Sequence, residues 1–293
     1  MFKFKKIYID SSYKVSGTSS DFVIDLPETV QLEENTKCII HEVSIPHSWF
    51  SIQQGFNDNL YFYQLDPNGV NPDIIDYRIF SIDEGNYSGA ELAERIQFWL
   101  NDYFDSRNPD VVRTDTYTVS YSAKTNKITI AVNYANLIFN VFTDAEAITN
   151  QNEFTGIDVS NLHSINKVLN IVDTSPTHGI ALPFVSGFVD LISVKNLYLH
   201  CNEISNYNQL TVAGNSSIVK KINVSVPYLG IIQDNQINDF DYVDVSGKIL
   251  RRLNFRFSNE FNKTVDFNNV ECSFSLTSCQ GIINIQLEKS RLY

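Results

Sequence analysis

The sequence predicts a mostly β protein, a barrel or a sandwich, on three observations. Apolar residues recur at every second position from one end of the chain to the other, the spacing of strands with one buried face. Prolines and Asn, Asp and Gly clusters close these runs. Only one segment departs to a clear helical period.

Phe22, Ile24 and Leu26 alternate up to Pro27, and Ile39, Val43 and Ile45 share a parity up to Pro46. Each proline is expected to end its ladder, because it has no N–H to donate. Leu60-Tyr61-Phe62-Tyr63 runs into the turn cluster Asp66-Pro67-Asn68-Gly69, and β character resumes over Tyr77–Ile82. Leu92, Ile96, Trp99, Leu100 and Tyr103 then fall on one stripe of a 3.6-residue period, opposite Glu91, Glu94, Arg95 and Asp102. Ser88 with Glu91 forms a capping box, Tyr87 and Leu92 are placed to staple the first turn, and Pro109 sets the far limit. Lying between β segments, this helix is expected to pack on a sheet. A hairpin follows, with Tyr117, Val119 and Tyr121 facing Ile128, Ile130 and Val132 around a polar loop at 123–127. Residues 143–177 alternate weakly, and a long loop, a short helix near Asp144–Ile148 and an insertion all fit them.

Strand patterning returns after Pro183. Ile192 and Val194 are even and Leu197 and Leu199 odd, which predicts a bulge near Lys195-Asn196. Further strands are read at Ile222–Val226, Leu253–Phe257, Cys272–Leu276 and Ile283–Leu287. The chain has no fixed-period repeat and no linker that marks a clean domain boundary.

Composition narrows the function classes. The 293 residues carry 34 acidic and 22 basic side chains, a formal charge of −12, which disfavours a general partnership with nucleic acid or an anionic membrane surface. The uncharged stretch 180–189 contains Pro183 and is half the roughly 20 residues of a membrane helix, so no span is expected. The basic N-terminus, Lys3, Lys5 and Lys6, leads into Tyr8 and Asp10 without the apolar core of a secretory signal. Four scattered cysteines without Cys-x-x-Cys spacing read as reduced, buried thiols, Cys272 on the inward face of its strand. Sequons at Asn86, Asn215, Asn223 and Asn262 are read as coincidental.

Motifs for catalysis are missing. His41, His47, His163, His178 and His200 form no recognised pair, and no nucleophile elbow, phosphate loop, dinucleotide fingerprint or zinc-protease helix occurs. Neighbours in a strand point to opposite faces, so His200 and Cys201 are awkward joint ligands. Asp239, Asp241 and Asp244, and the oxygen-rich loop Asp66, Asn68, Asn71 and Asp73, read as a solvated acidic loop and a turn before they read as calcium sites. No catalytic, cofactor-binding or metal residue is therefore assigned. Lys220-Lys221 and Arg251-Arg252, each opening a strand, are candidates for contact with packaged nucleic acid or an acidic neighbour. Phe2, Phe4 and Ile7 alternate with Lys3, Lys5 and Lys6, which suggests an N-terminal arm laid along a neighbour or facing a packaged genome, whose first six residues are needed for particle assembly and dispensable for monomer folding.

Several segments in order resemble a known family. Ile7-Tyr8-Ile9-Asp10-Ser11-Ser12-Tyr13 with Gly17–Phe22, then Ile45-Pro46-His47-Ser48-Trp49, Glu84–Ser88 before the capped helix, the hairpin, and Leu253–Phe257, Val265-Asp266 and Ser273–Leu276 resemble the minor capsid, or penton, proteins of virophages and Polinton-like viruses. The resemblance implies an all-β jelly-roll β-sandwich with an inserted subdomain carrying one amphipathic helix and a β-hairpin. It places the jelly roll at 1–76 and 178–293 and the insert at 77–177. It further implies a non-enzymatic virion protein without cofactor, forming a homopentamer at the vertex of an icosahedral capsid, contacting a double jelly-roll major capsid protein, and assembled in the host cytoplasm. The vertex loops would then face a host or giant-virus surface. A carbohydrate- or receptor-binding jelly roll using Tyr61, Tyr63 or Tyr77 is the alternative. A β-sandwich hydrolase using Asp239 and Asp241 is the third reading.

Overall fold

A computed structural model describes residues 4–66, 75–107, 116–155, 162–172, 177–205, 214, 217–237 and 241–280. Pro109, the Asn68, Asn71 and Asp73 loop, Asn215, Asp239 and the strand read at Ile283–Leu287 lie outside the described residues. In chain order the first strands are β1 (Phe4–Asp10), β2 (Ser16–Gly17), β3 (Asp21–Gln31) and β4 (Thr36–Pro46). Next come β5 (Asn59–Leu65), β6 (Asp76–Ser81), α1 (Gly89–Arg107), β7 (Tyr117–Ser122), β8 (Lys127–Val132) and β9 (Ile138–Val141). Two short helices follow, α2 (Asp144–Thr149) and α3 (Asn166–Leu169), and then β10 (Phe184–Val185) and β11 (Asn196–His200). The last strands are β12 (Ile218–Asn223), β13 (Ile231–Asp234), β14 (Val243–Asp244), β15 (Ile249–Ser258) and β16 (Ser273–Gln280).

These elements form two compact units. Met1–Trp49 with Val194–Tyr293 make one, and the continuous stretch Phe50–Ser193 the other. The divisions fall at Trp49 and Ser193 rather than at residues 76 and 177. The reason is pairing: β5, read from sequence as part of the jelly roll, is hydrogen-bonded to β6 and, across a long sequence gap, to β9, with Phe62 opposite Val141.

The first unit is a jelly roll. One sheet runs β1-β16-β4-β13, with β14 also on β4, and the other runs β12-β11-β15-β3-β2. Numbering the eight long strands in chain order, the sheets read 1-8-3-6 and 5-4-7-2, the strand order of two interleaved Greek keys. The inward faces of both sheets fill one core that includes Phe22, Leu199, Phe255, Phe257, Phe274 and Ile40. The Phe255 ring lies 5.7 Å from Phe22 and 5.0 Å from Phe274, the latter edge-on across the sandwich.

Local details depart from the sequence reading. β3 continues through Pro27, because its register against β15 skips from Asp25 to Val30 and the proline sits where no ladder bond is asked of it. In β4 the inward residues change from Cys38 and Ile40 to Val43 and Ile45, since Glu42, at φ +53°, bulges the strand, and Ile39 faces away. The register shift near 195 is instead at Leu199-His200, and β11 begins only at Asn196. Phe4, Lys5 and Lys6 are part of β1, opposite Cys279, Ser278 and Thr277, so removing six N-terminal residues takes away part of a paired strand rather than a free arm.

The middle unit holds the predicted helix and hairpin. Ser88 and Glu91 exchange both capping bonds, at 2.8 and 3.2 Å. The apolar stripe of α1, Leu92, Ile96 and Leu100, packs with Tyr117, Ile128 and Ile130 of the hairpin in one core. Asn101, buried beneath α1, bonds both backbone groups of Tyr117 at 2.8 and 2.9 Å, fixing helix to strand. The short helix α2 is capped by Thr143 with Glu146.

Candidate functional site

Of the segments that carried the family resemblance, Ile7–Tyr13, Gly17–Phe22 and Ser273–Leu276 meet on one flank of the jelly roll. Asp10 ends β1 and accepts the Ser12 N–H at 2.8 Å, which turns the chain through a single 3-10 turn. Ser11, fully buried, donates to Glu271 and accepts from the Cys272 N–H at 2.9 Å, while its own N–H bonds the Cys272 carbonyl at 3.0 Å. Lys14 closes the cluster against Glu271 at 2.7 Å and, with Ser11, holds that carboxyl below the usual carboxylate range. This lock ties the end of β1 to the start of β16. It leaves Tyr8 and Tyr13, 75% and 78% exposed, projecting from the flank. Gly17 supplies the next turn at φ +96°, where a Cβ would stand 2.0 Å from the Asp21 carbonyl oxygen.

Both sheets have an open edge here. Among the described residues β1 is paired on one side only, by β16, and β3 beyond Val23 is paired on one side only, by β15. A groove of about 460 Å³ runs between them. Ile7, Ile9, Ile24, Leu26 and Val30 are among its apolar lining, and Tyr8, Tyr13 and Pro27 line it too. Charges frame it: Lys5 pairs with Glu28 at 3.1 Å, and Lys6 pairs with Glu42 at 2.5 Å and sits over the Tyr8 ring.

The opposite flank is bridged by an ion pair. There Lys220 of β12 reaches Asp234 of β13 at 3.4 Å, joining the edge strands of the two sheets, and also donates to the Gln236 carbonyl. Lys220, read as a solvent-facing cation, is 3% exposed. Of the other cations read with it, Lys221 is exposed and Arg252 is engaged by Asp25 at 2.7 Å.

The remaining candidates resolve into structural roles. His200 and Cys201 are both buried in the jelly roll. The His200 ring is held by Ser217 at Nδ1, 3.0 Å, and Ser258 at Nε2, 2.8 Å. Burial, with a smaller contribution from Arg256, pushes its pKa down to about 4. The neutral ring is therefore the folded form, and the unfolded chain binds more protons between about pH 6.5 and 4. Stability is expected to be full above pH 6.5 and to fall by roughly 2–3 kcal/mol toward pH 4. Urea unfolding across that range checks it, and His200→Gln should flatten the slope.

Burial pushes the thiols of Cys38 and Cys272 up to about 12 and that of Cys201 well above its ordinary value, which removes them as nucleophiles at neutral pH. All four cysteines are free and buried. Asp244 accepts from the Ser246 N–H and Oγ at 2.9 and 2.6 Å, as the anchor of a turn. Among the described residues no three His, Cys, Asp or Glu side chains are grouped to hold a metal. Tyr61, 3% exposed, and the half-buried Tyr63 and Tyr77 pack around Phe142 and Phe154 in a core of the middle unit, instead of lying open for a sugar ring. No described helix is long and apolar enough to cross a membrane.

No family model matches the chain, and no curated protein does. Among solved structures, the crystal structure of the selenomethionine-labelled mavirus penton protein matches over 95% of this chain and 99% of its own, with a TM-score of 0.50 and 12% sequence identity. The chain thus has a penton-like, all-β jelly-roll fold.

Proposed function

We propose that the chain is a structural virion protein of the penton type, five copies of which form the vertex of an icosahedral capsid and contact a double jelly-roll major capsid protein. The observation that carries this reading is the match to a penton protein over nearly the full length of both chains, including the stretch Phe50–Ser193 set between the two parts of the jelly roll. The open flank, with its apolar groove and projecting tyrosines, supports it, because a cyclic ring needs unlike flanks that meet head to tail. On this reading the protein is not an enzyme, is assembled in the host cytoplasm and resides in the capsid. Residues 50–193 form the inserted subdomain that offers a surface to a host or giant virus.

Light scattering on the purified full chain tests it. A ring of about 167 kDa, five times 33.4 kDa, is expected, with five-fold particles in negative stain. If the chain stays monomeric, co-expression with a double jelly-roll major capsid protein should place it at particle vertices. Particles that form without incorporating it would overturn the reading.

A further inference from the structure

We propose that the two open edges of one sheet of the jelly roll join head to tail, the β1 edge of one copy adding to the β13–β14 edge of the next. The inference rests on the reading of the chain as a self-assembling subunit, and it names the surfaces by which one copy meets another.

β16 and β4 are the inner strands of this sheet. β1 lies on one side of them, and β13 and β14 lie one after the other along the far side of β4. Among the described residues each of these edge strands has a partner on one side only. Such an edge presents a row of main-chain donors and acceptors that a further strand satisfies. Strand direction lets each edge serve the other. Every pairing in the sheet is antiparallel, so β1 runs with β4 while β13 and β14 run against both. A second copy set beside the first in the same orientation therefore brings its β13 and β14 up to β1 antiparallel, with no strand reversed.

Side chains at matching heights agree with this. Followed across the sheet, the register puts Phe4 level with Cys279, Lys37 and Asp244, and Asp10 level with Ser273, Ser44 and Gln233. At the Phe4 end the neighbour's exposed Asp244 comes diagonal to Lys6, adding a second carboxylate to a lysine that Glu42 meets from within the chain. At the other end Ile231, paired with Pro46, stands two residues beyond the level of Asp10, where the chain turns through Ser11–Tyr13. There Leu229 and Ile231, 75% and 56% exposed, meet Tyr13, 78% exposed. Apolar surface faces apolar surface and a lysine faces an aspartate. The Lys220–Asp234 pair already ties β13 to the edge of the other sheet, so this acceptor edge is set before a neighbour arrives. The contact is heterologous, one flank to the unlike flank of the next copy, which is the type that closes into rings.

Complementation between two broken flanks tests it in the full chain. Tyr13→Glu spoils the β1 flank and Ile231→Glu the β13 flank, both at exposed positions. Each alone is expected to weaken self-association in sedimentation by about tenfold or more, with an unchanged melting temperature. Leu229→Glu, outside the strand, replaces Ile231→Glu if that variant fails to fold. Mixed in equal amounts, the two variants should form a dimer that grows no further, because each keeps the flank that the other lacks. Tyr13→Cys and Ile231→Cys, oxidised together, should cross-link to one another faster than either does to itself, the natural cysteines being buried. Assembly lost in one variant and untouched in the other would mean a two-fold contact and sink the proposal. A mixture that stays monomeric, or a full chain that stays monomeric at every soluble concentration, would sink it too. Five-fold rings that both variants still form would remove this contact and leave the penton reading standing. A complemented dimer from a chain that never enters a particle would instead overturn the penton reading and leave the edge-to-edge contact.

Discussion

Phe255→Ala is expected to lower the stability of the jelly-roll unit by about 3–5 kcal/mol, a large share of the roughly 5–15 kcal/mol that holds most domains folded. The ring has no solvent exposure and touches Phe22 on its own sheet and Phe274 on the facing one. Deleting it therefore loses the transfer energy of a whole aromatic side chain, and it leaves a void between two sheets that cannot close without breaking ladder bonds. Chemical denaturation followed by fluorescence should show a lower midpoint for this unit. Phe98→Ala, at a helix position 53% exposed, is the control and should change little. A loss below about 1 kcal/mol for Phe255→Ala would mean that the two sheets do not meet at this ring.

Asp234→Ala is expected to cost about 3–4 kcal/mol, because it leaves the buried Lys220 ammonium between the edges of the two sheets with, among the described residues, the Gln236 carbonyl as its remaining hydrogen-bond partner. The pair itself contributes far less than its loss suggests, since both groups gave up water to form it. Lys220→Met together with Asp234→Leu should accordingly recover most of the lost stability. Arg252 and Asp25 make a contrast: their bidentate contact, at 2.7 and 2.9 Å, is better formed but lies in solvent, and Asp25→Ala is expected to shift the melting temperature little. Equal losses for Asp234→Ala and Asp25→Ala would remove the argument that burial sets the difference.

Sequence period was enough to read the inward faces of β3, β15 and β16, the stripe and cap of α1 and the register-forming hairpin β7–β8, because each is a local pattern of alternate or 3.6-spaced apolar residues. It failed where the backbone breaks its own period. Glu42 takes a positive φ that nothing in its residue type announces, and Pro27 is tolerated because the opposite strand skips it. The Phe62–Val141 pairing, which holds β5 to β9, is long in sequence and leaves no local mark. The same reasoning applies to the candidate site. Tyr8, Tyr13 and the Ser11 lock lie in a segment marked by resemblance, but whether a strand is an edge depends on what pairs with it, and alternation in Ile7 and Ile9 is silent on that. Lys220 was hidden for a related reason: a lysine in a strand reads as solvent-facing until a carboxylate from another sheet is placed beside it.

The pairing of β1 with β16 has a consequence for biosynthesis. Phe4 meets Cys279, so the first described strand is completed only by the last described one. At a ribosomal rate of about 5–20 residues per second, β1 waits tens of seconds for its partner, while Phe50–Ser193, continuous in sequence, emerges entire and is free to fold in the interval. Lys5 and Lys6 on that waiting edge repel other nascent edges of the same kind, as gatekeeping charges do. The β1–β16 edge of the jelly roll can thus close only after β16 has emerged, long after β1 was made.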